Sequence, residues 1–306
     1  MNPIVPMIAS SVVAATPLIY AALGETITEK AGVLNLGIEG MMLVGAVAGF
    51  AATLATGSDL LGFTAAAAAG LALSLVFGFL TLSMQTNQVA TGLALTLFGV
   101  GLSAFVGHDL AGVPLSALPP IDLPVLTQIP IVGPLLFHYD IMVYLSLVLF
   151  AAVQWFVSKS HAGLTMRAVG ESPGVAHAIG KSVLTTRYLA VMFGGATAGI
   201  AGAYLSLVQT PMWVEGMSAG KGWIALALVV FGTWKPARVV LGAYLFGGVT
   251  QFQLFAQGFN LPIPTEFLSM LPYAATVVVL VIICRDPKTI LLNQPASLGR
   301  SFHSTA

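Results

Sequence analysis

Charge is scarce in this sequence, and so is cysteine. Of 306 residues only 7% are charged while 57% are hydrophobic, against roughly 25% charged in an ordinary soluble domain. That imbalance marks an integral membrane protein. A single cysteine, Cys284, excludes a disulfide framework within one chain and any cysteine-rich metal site. The histidines at His108, His138, His161, His177 and His303 show no ligand spacing, so no metal is assigned. The first residues, MNPIVPM, contain no base. A secretory signal peptide opens on a positive region, so the first apolar segment is expected to stay as a transmembrane helix. No nucleic-acid partner is expected.

What the chain does have is long apolar runs. About 20 such residues cross a bilayer core, and the runs at 3–23, 38–56, 61–82, 89–106, 141–157, 188–208, 223–234, 239–257 and 267–284 predict an all-α, polytopic protein with about nine spans, eight or ten being alternatives. Residues 1–306 read as one transmembrane domain. The piece from Trp223 has only about twelve residues before Lys235 and Pro236, too few to cross alone. It is expected to be a half-helix or the broken part of a longer one.

Lysine and arginine placement sets the orientation. The segment 158–187 carries Lys159, Arg167, Lys181 and Arg187 against Glu171, and the tail 285–306 carries Arg285, Lys288 and Arg300 against Asp286. Both are expected in the cytoplasm. The loop 108–140 has three acids, no lysine or arginine and six prolines, so it is expected outside as an irregular cover. Counting crossings from there places Lys235 and Arg238 inside and the N-terminus outside. Two stretches, 32–50 and 216–248, each pass from a glycine-rich polar approach through a short apolar piece into a glycine-punctuated helix. Paired interrupted segments are the mark of an internal-repeat transporter, with the path near the break.

Polar residues at the edges of these runs are the candidate pathway residues. In AGVLNLGIEGMMLVG, Asn35 and Glu39 are four apart and share one helix face. A carboxylate in hydrocarbon costs about 3 kcal/mol on insertion scales and usually faces a cavity or a partner; alternatively Glu39 is a helix N-terminal charge favoured by the dipole. Gly32, Gly37 and Gly40 allow a break or a close approach, and Gly45 with Gly49 forms a small-xxx-small contact surface. In the TNQVAT stretch, Gln88 and Thr91 are the pathway candidates, since amides can donate and accept at once, whereas 85–87 reads as a solvated loop. Trp223 opens the broken segment. Gly195 and Gly199 read as a helix contact.

Three catalytic look-alikes fail. GESPG (170–174) has the nucleophile-elbow spacing, but the residue after the serine must lend an N–H and Pro173 has none. GVAHAIGKS (174–182) places five residues between its glycines where a phosphate loop needs four. GVGLSA (99–104) lies inside an apolar run without strand–turn–helix context. No catalytic residue is assigned.

The basic segment is too long for a turn between helices, which takes two to eight residues. Ser172 reads as an N-cap, Pro173 as a first-turn proline and Gly180 as a stop, giving a short surface helix over 173–179. It either rests on anionic membrane lipid or docks a cytoplasmic partner.

Four blocks, AGVLNLGIEGMMLVGA, TNQVATGLALTLFGVGLSAF, MRAVGESPGVAHAIG and GKGWIALALVVFGTWKPARVVLGAYLFGG, resemble in order the permease subunits of ABC importers of the branched-chain amino acid, simple-sugar and nucleoside group. The resemblance runs from about Tyr20 to Cys284. The pairing of NLGIEG with TNQV is most similar to the shorter of two paired permeases in nucleoside-type importers. It implies a bacterial inner-membrane permease, a sister permease beside it in a heterodimer, an extracytoplasmic substrate-binding lipoprotein, and a cytoplasmic ABC ATPase that binds ATP and magnesium. This chain itself would hold no cofactor. The surface helix then becomes a coupling helix, with Arg167, Gly170, Glu171, Ser172, Pro173, His177 and Gly180 at the ATPase contact. Asn35, Glu39, Gln88, Thr91 and Trp223 would flank the path of a nucleoside or similar small neutral solute, moved by alternating access. One departure is Gly174 with His177, where relatives tend to have alanine-rich helix; glycine costs about 1 kcal/mol there. A simple-sugar, branched-chain amino acid or flavin permease of the same fold is the near alternative. An ion-coupled secondary transporter with Glu39 as the ion site, and an intramembrane enzyme, are the distant ones.

Overall fold

The computed structural model describes residues 4–121, 132–258, 264–284 and 293–303. Pro124, Pro130, Arg285, Asp286 and Lys288, which entered the orientation argument, lie outside the described residues, as do 1–3.

Helices dominate, and the described residues form no sheet beyond two isolated bridges, Ala111 to Trp213 and Pro114 to Met212. In chain order they are α1 (Ile4–Lys30), α2 (Ile38–Thr56), α3 (Asp59–Gly78), α4 (Gln88–Gly107), the short α5 (Val132–Leu136), α6 (Ile141–Lys159), α7 (His161–Glu171), α8 (Pro173–Ala178), α9 (Val183–Tyr204), α10 (Lys221–Phe231), α11 (Pro236–Gly258) and α12 (Thr265–Cys284). α3 and α9 each continue into a π-helical turn, Phe79–Ser83 and Leu205–Gln209. Among the described residues seven helices are long and apolar enough to cross a membrane: α1, α2, α3, α4, α6, α9 and α11, the first beginning at Val5. The expected nine included two more, α10 and α12. The eleven residues of α10 are too short to span, and α12 is a twenty-residue helix with only part of its side chains described.

The first span is longer than its apolar run suggests. Reading from composition ended it at residue 23, yet α1 continues to Lys30 and carries Glu25 and Glu29 inside the bundle. A helix backbone satisfies its own hydrogen bonds wherever it goes in a membrane, so a buried acid does not stop it.

Helices α1, α2 and α9 form the centre. α4 and α6 present large apolar side chains outward, such as Leu97, Phe105, Val148 and Trp155. Lipid tails are as apolar as leucine, so association rests on close packing at small residues. Gly199 on α9 shows this: a Cβ there would lie 2.0 Å from the Ala66 carbonyl of α3, and one on Gly45 of α2 would lie 2.4 Å from the Gly199 Cα. Three helices thus meet where only hydrogen fits.

The bundle has two distinguishable ends. One carries α7, α8, Lys30 and Lys235, with Lys30 in electrostatic range of Arg167, Glu171 and Lys235. The other carries the proline-rich loop and the start of α6. There Asp140 caps α6, accepting from the Met142 and Val143 amides at 2.9 and 3.2 Å and from the Tyr204 hydroxyl at 2.9 Å. Burial still holds its carboxyl above the ordinary range, even though these three donors favour the charged form.

Candidate functional site

Two helices begin inside the bundle and meet at one carboxylate. Neither α2 nor α10 supplies its own side-chain cap, because the capping position is glycine in both, Gly37 and Gly220. Glu39, in the first turn of α2, fills the gap for α10. Its Oε1 accepts from Ser218 Oγ at 2.6 Å and from the Gly220 amide at 2.9 Å, and its Oε2 accepts from the Gly222 amide at 2.6 Å. Both N-termini place their partial positive charge toward this group. The approach is so close that a Cβ on Gly222 would lie 2.6 Å from the Glu39 Cα.

Asn35 shapes the turn into α2. Its Oδ1 accepts from the Gly37 amide at 2.9 Å, an Asx turn, and its Nδ2 faces the Met41 sulfur at 3.5 Å. Its backbone amide donates to Glu25 Oε1 at 3.3 Å. One residue earlier, the Leu34 amide donates to Gln88 Oε1 at 2.8 Å. The segment 31–37 is therefore held by side chains of α1 and α4.

Glu25 and Glu29 are 0% and 1% exposed. Glu29 Oε2 accepts from the Trp234 indole at 2.5 Å. Glu25 Oε2 and Gln88 Nε2 find no hydrogen-bond partner among the described residues. Reading by composition missed both acids, although their i, i+4 spacing next to an apolar run was a usable signal.

Four of the five pathway candidates fall around this junction. Asn35 and Gln88 hold the 31–37 segment, Glu39 joins it to α10, and Trp223 follows Gly222 and is 38% exposed. Thr91 lies apart, half-buried and bonded to the Thr86 hydroxyl at 2.9 Å.

The family model for branched-chain amino acid transport system permease components matches residues 7–282. The chain belongs to that permease family. Among its relatives, this permease is 41% identical to the putative glucose ABC transporter permease TsgC13 of Haloferax volcanii, over 96% of both chains. It is 32% identical to the guanosine ABC transporter permease NupQ of Bacillus subtilis over 90% of both, and 28% identical to the nucleoside ABC transporter permease NupC of Lactococcus lactis over 92% of both. No solved structure matches. The permease is thus a multi-pass integral membrane transport component of the sugar and nucleoside ABC group.

In this permease the segment between α6 and α9 folds as α7 and α8. Gly163, Met166, Val169 and Gly170 form the inward stripe of α7, while Arg167 and Glu171 are exposed. Ser172 separates the helices, and Pro173 opens α8 at its first position. The Ser172 side chain makes no capping bond. Gly180 closes the unit at φ +79°, and His177 stands edge-on to Phe302 with ring centroids 5.7 Å apart. Val175 on α8 and Ile179 just after it are exposed.

Proposed function

We propose that this permease is the membrane-spanning subunit of an ATP-driven importer that carries a nucleoside or similar small neutral solute inward by alternating access. The observation that supports it is likeness over nearly the whole chain to permeases named for glucose and for guanosine. Those two solutes are neutral and share a polyhydroxylated ring, so a simple sugar is the second reading.

The partners follow from membership of the family. A sister permease completes the path, an extracytoplasmic lipoprotein delivers solute, and an ABC ATPase docks on α7 and α8 through Arg167, Glu171, Ser172, Pro173, His177 and Gly180, whereas Gly170, expected at that contact, is buried against Lys30 and Ser297 and lies behind it. ATP and magnesium belong to that ATPase, and this chain performs no covalent chemistry. Closure of the ATPase moves the α7–α8 unit, and the bundle repacks around the α2–α10 junction. A ligand shifts such an equilibrium only through its differential affinity for the two states.

An ion-coupled mechanism centred on Glu39 fits less well, since three donors fixed in the fold already occupy that carboxylate. The test is uptake into proteoliposomes with and without the ATPase, using labelled guanosine with glucose as competitor. ATP-dependent uptake is expected. Uptake driven by an ion gradient alone would overturn the reading.

A further inference from the structure

The C-terminal residues 295–303 do not trail away from the bundle. They lie across the end that carries α7 and α8, tied to four separate segments. Ser297 donates to the Gly170 carbonyl twice, from its amide at 3.0 Å and from its hydroxyl at 2.6 Å. Phe302 stands against His177 of α8, and its carbonyl accepts from Gln85 Nε2 at 3.2 Å, in the connection before α4. The tail also packs on the segment that leads into α2, since a Cβ on Gly32 would lie 2.4 Å from Ser297 Oγ.

Arg187, at the start of α9, binds this arrangement together. It is buried, and its guanidinium donates in three directions: Nε to the Ala31 carbonyl at 3.2 Å, Nη2 to Ser297 Oγ at 3.0 Å and Nη1 to the Arg300 carbonyl at 3.0 Å. Helix C-termini leave carbonyls without intrahelical partners. Gly170 sits in the last turn of α7 and Ala31 follows the last residue of α1. Water could satisfy both if they were exposed. Here the tail and the planar, five-donor fork of an arginine satisfy them together, so the end of α7 and the start of the 31–37 segment share one rigid set of bonds. The 31–37 segment is the one that Glu25 and Gln88 hold and that sets Asn35 and Glu39 in place.

We infer that residues 295–303 form a coupling strap, with Arg187 and Ser297 as positioning residues that carry displacement of α7 and α8 to the 31–37 segment at the α2–α10 junction. The inference rests on the importer reading. A strap of this kind acts on the link between ATP hydrolysis and transport, and leaves assembly and hydrolysis themselves in place. Its signature is therefore solute moved per ATP hydrolysed.

The test uses the full complex in proteoliposomes, with ATP hydrolysis and labelled guanosine uptake measured on the same vesicles. Ser297→Ala removes the hydroxyl that bridges Gly170 and Arg187, and Arg187→Lys replaces the fork with a point charge that cannot reach three acceptors in a plane. Both are expected to lower uptake per ATP at least threefold while hydrolysis stays near that of the unaltered complex. Phe302→Ala, which removes only the ring contact, should lower it less, and it carries the test should either of the others fail to assemble. A ratio that holds or rises in the variants overturns the strap, whether the two rates stay level or fall together. Absence of ATP-dependent uptake in the unaltered complex refutes the importer reading instead.

Discussion

Two sets of buried carboxylates lie within fifteen residues of each other, and the chain treats them in opposite ways. Glu39 sits where two helices begin, and three donors converge on it. Glu25 and Glu29 sit in the last two turns of α1, toward the end of a helix whose dipole disfavours negative charge. Glu29 has one indole donor and Glu25 one long backbone bond, with an oxygen to spare. The first carboxylate is a structural joint between α2 and α10. The second pair is held by the surrounding helices despite its electrostatics. Position relative to a helix end, more than depth of burial, decides which acid stabilises the fold.

The largest effect that would sharpen this contrast is Glu39→Ala. It strands the Ser218 hydroxyl and the Gly220 and Gly222 amides, and each unsatisfied buried group costs about 1–3 kcal/mol. The total of about 3 kcal/mol or more should abolish recovery of folded permease from detergent, whereas Glu39→Gln keeps an acceptor and should fold. If Glu39→Ala purifies with an unchanged melting temperature, the joint is not what holds α10.

Second in size is Gly222→Ala. The added methyl would lie 2.6–2.7 Å from the Glu39 backbone, forcing the two helix starts apart. Overpacking of this kind costs about 1–3 kcal/mol, so thermal unfolding should move down by several degrees. Gly101, whose Cβ would meet nothing within 4 Å, is the matched control, and Gly101→Ala should leave the melting temperature in place.

How much of this could be read beforehand follows from the kind of signal each feature leaves. Apolar runs announce membrane helices by length, so α2, α3, α4, α6, α9 and α11 were legible to within a few residues. The surface helix was legible from Pro173 and Gly180, because a first-turn proline and a glycine stop are local chemistry, although the Ser172 side chain does not supply the cap expected of it. The end of α1 was not legible, since a polar run TITEK looks like a loop when its partners are unknown. Glu39 was visible as a residue, but its role depends on Ser218, Gly220 and Gly222, some 180 positions away, and no local pattern encodes that pairing. The same holds for Arg187, which entered the orientation argument only as a basic residue, and for Ser297, which left no local signal.

A third, smaller effect is expected from Trp234→Phe. The ring volume is largely kept while the Nε1–H that Glu29 accepts is lost. Because the carboxylate remains buried without that donor, the loss should be about 1–2 kcal/mol, read as a lower denaturant midpoint. Trp234→Phe with Glu29→Gln together should recover most of it, since an amide tolerates the apolar site better than a carboxylate.

The smallest change, and the sharpest test of the contrast, is Glu25→Gln. The amide oxygen can still accept from the Asn35 backbone, and the amide nitrogen takes the place of an oxygen that had no partner among the described residues. When both acids are ionised they repel one helical turn apart in a medium where like charges are poorly screened, and Glu25→Gln removes that contact. Because the Asn35 bond is kept and the other position had no partner to lose, stability should shift by less than about 1 kcal/mol in either direction. A fall as large as that of Glu39→Ala would mean that α1 relies on its acids as α2 and α10 rely on theirs, and the distinction between helix starts and helix ends would not hold in this bundle.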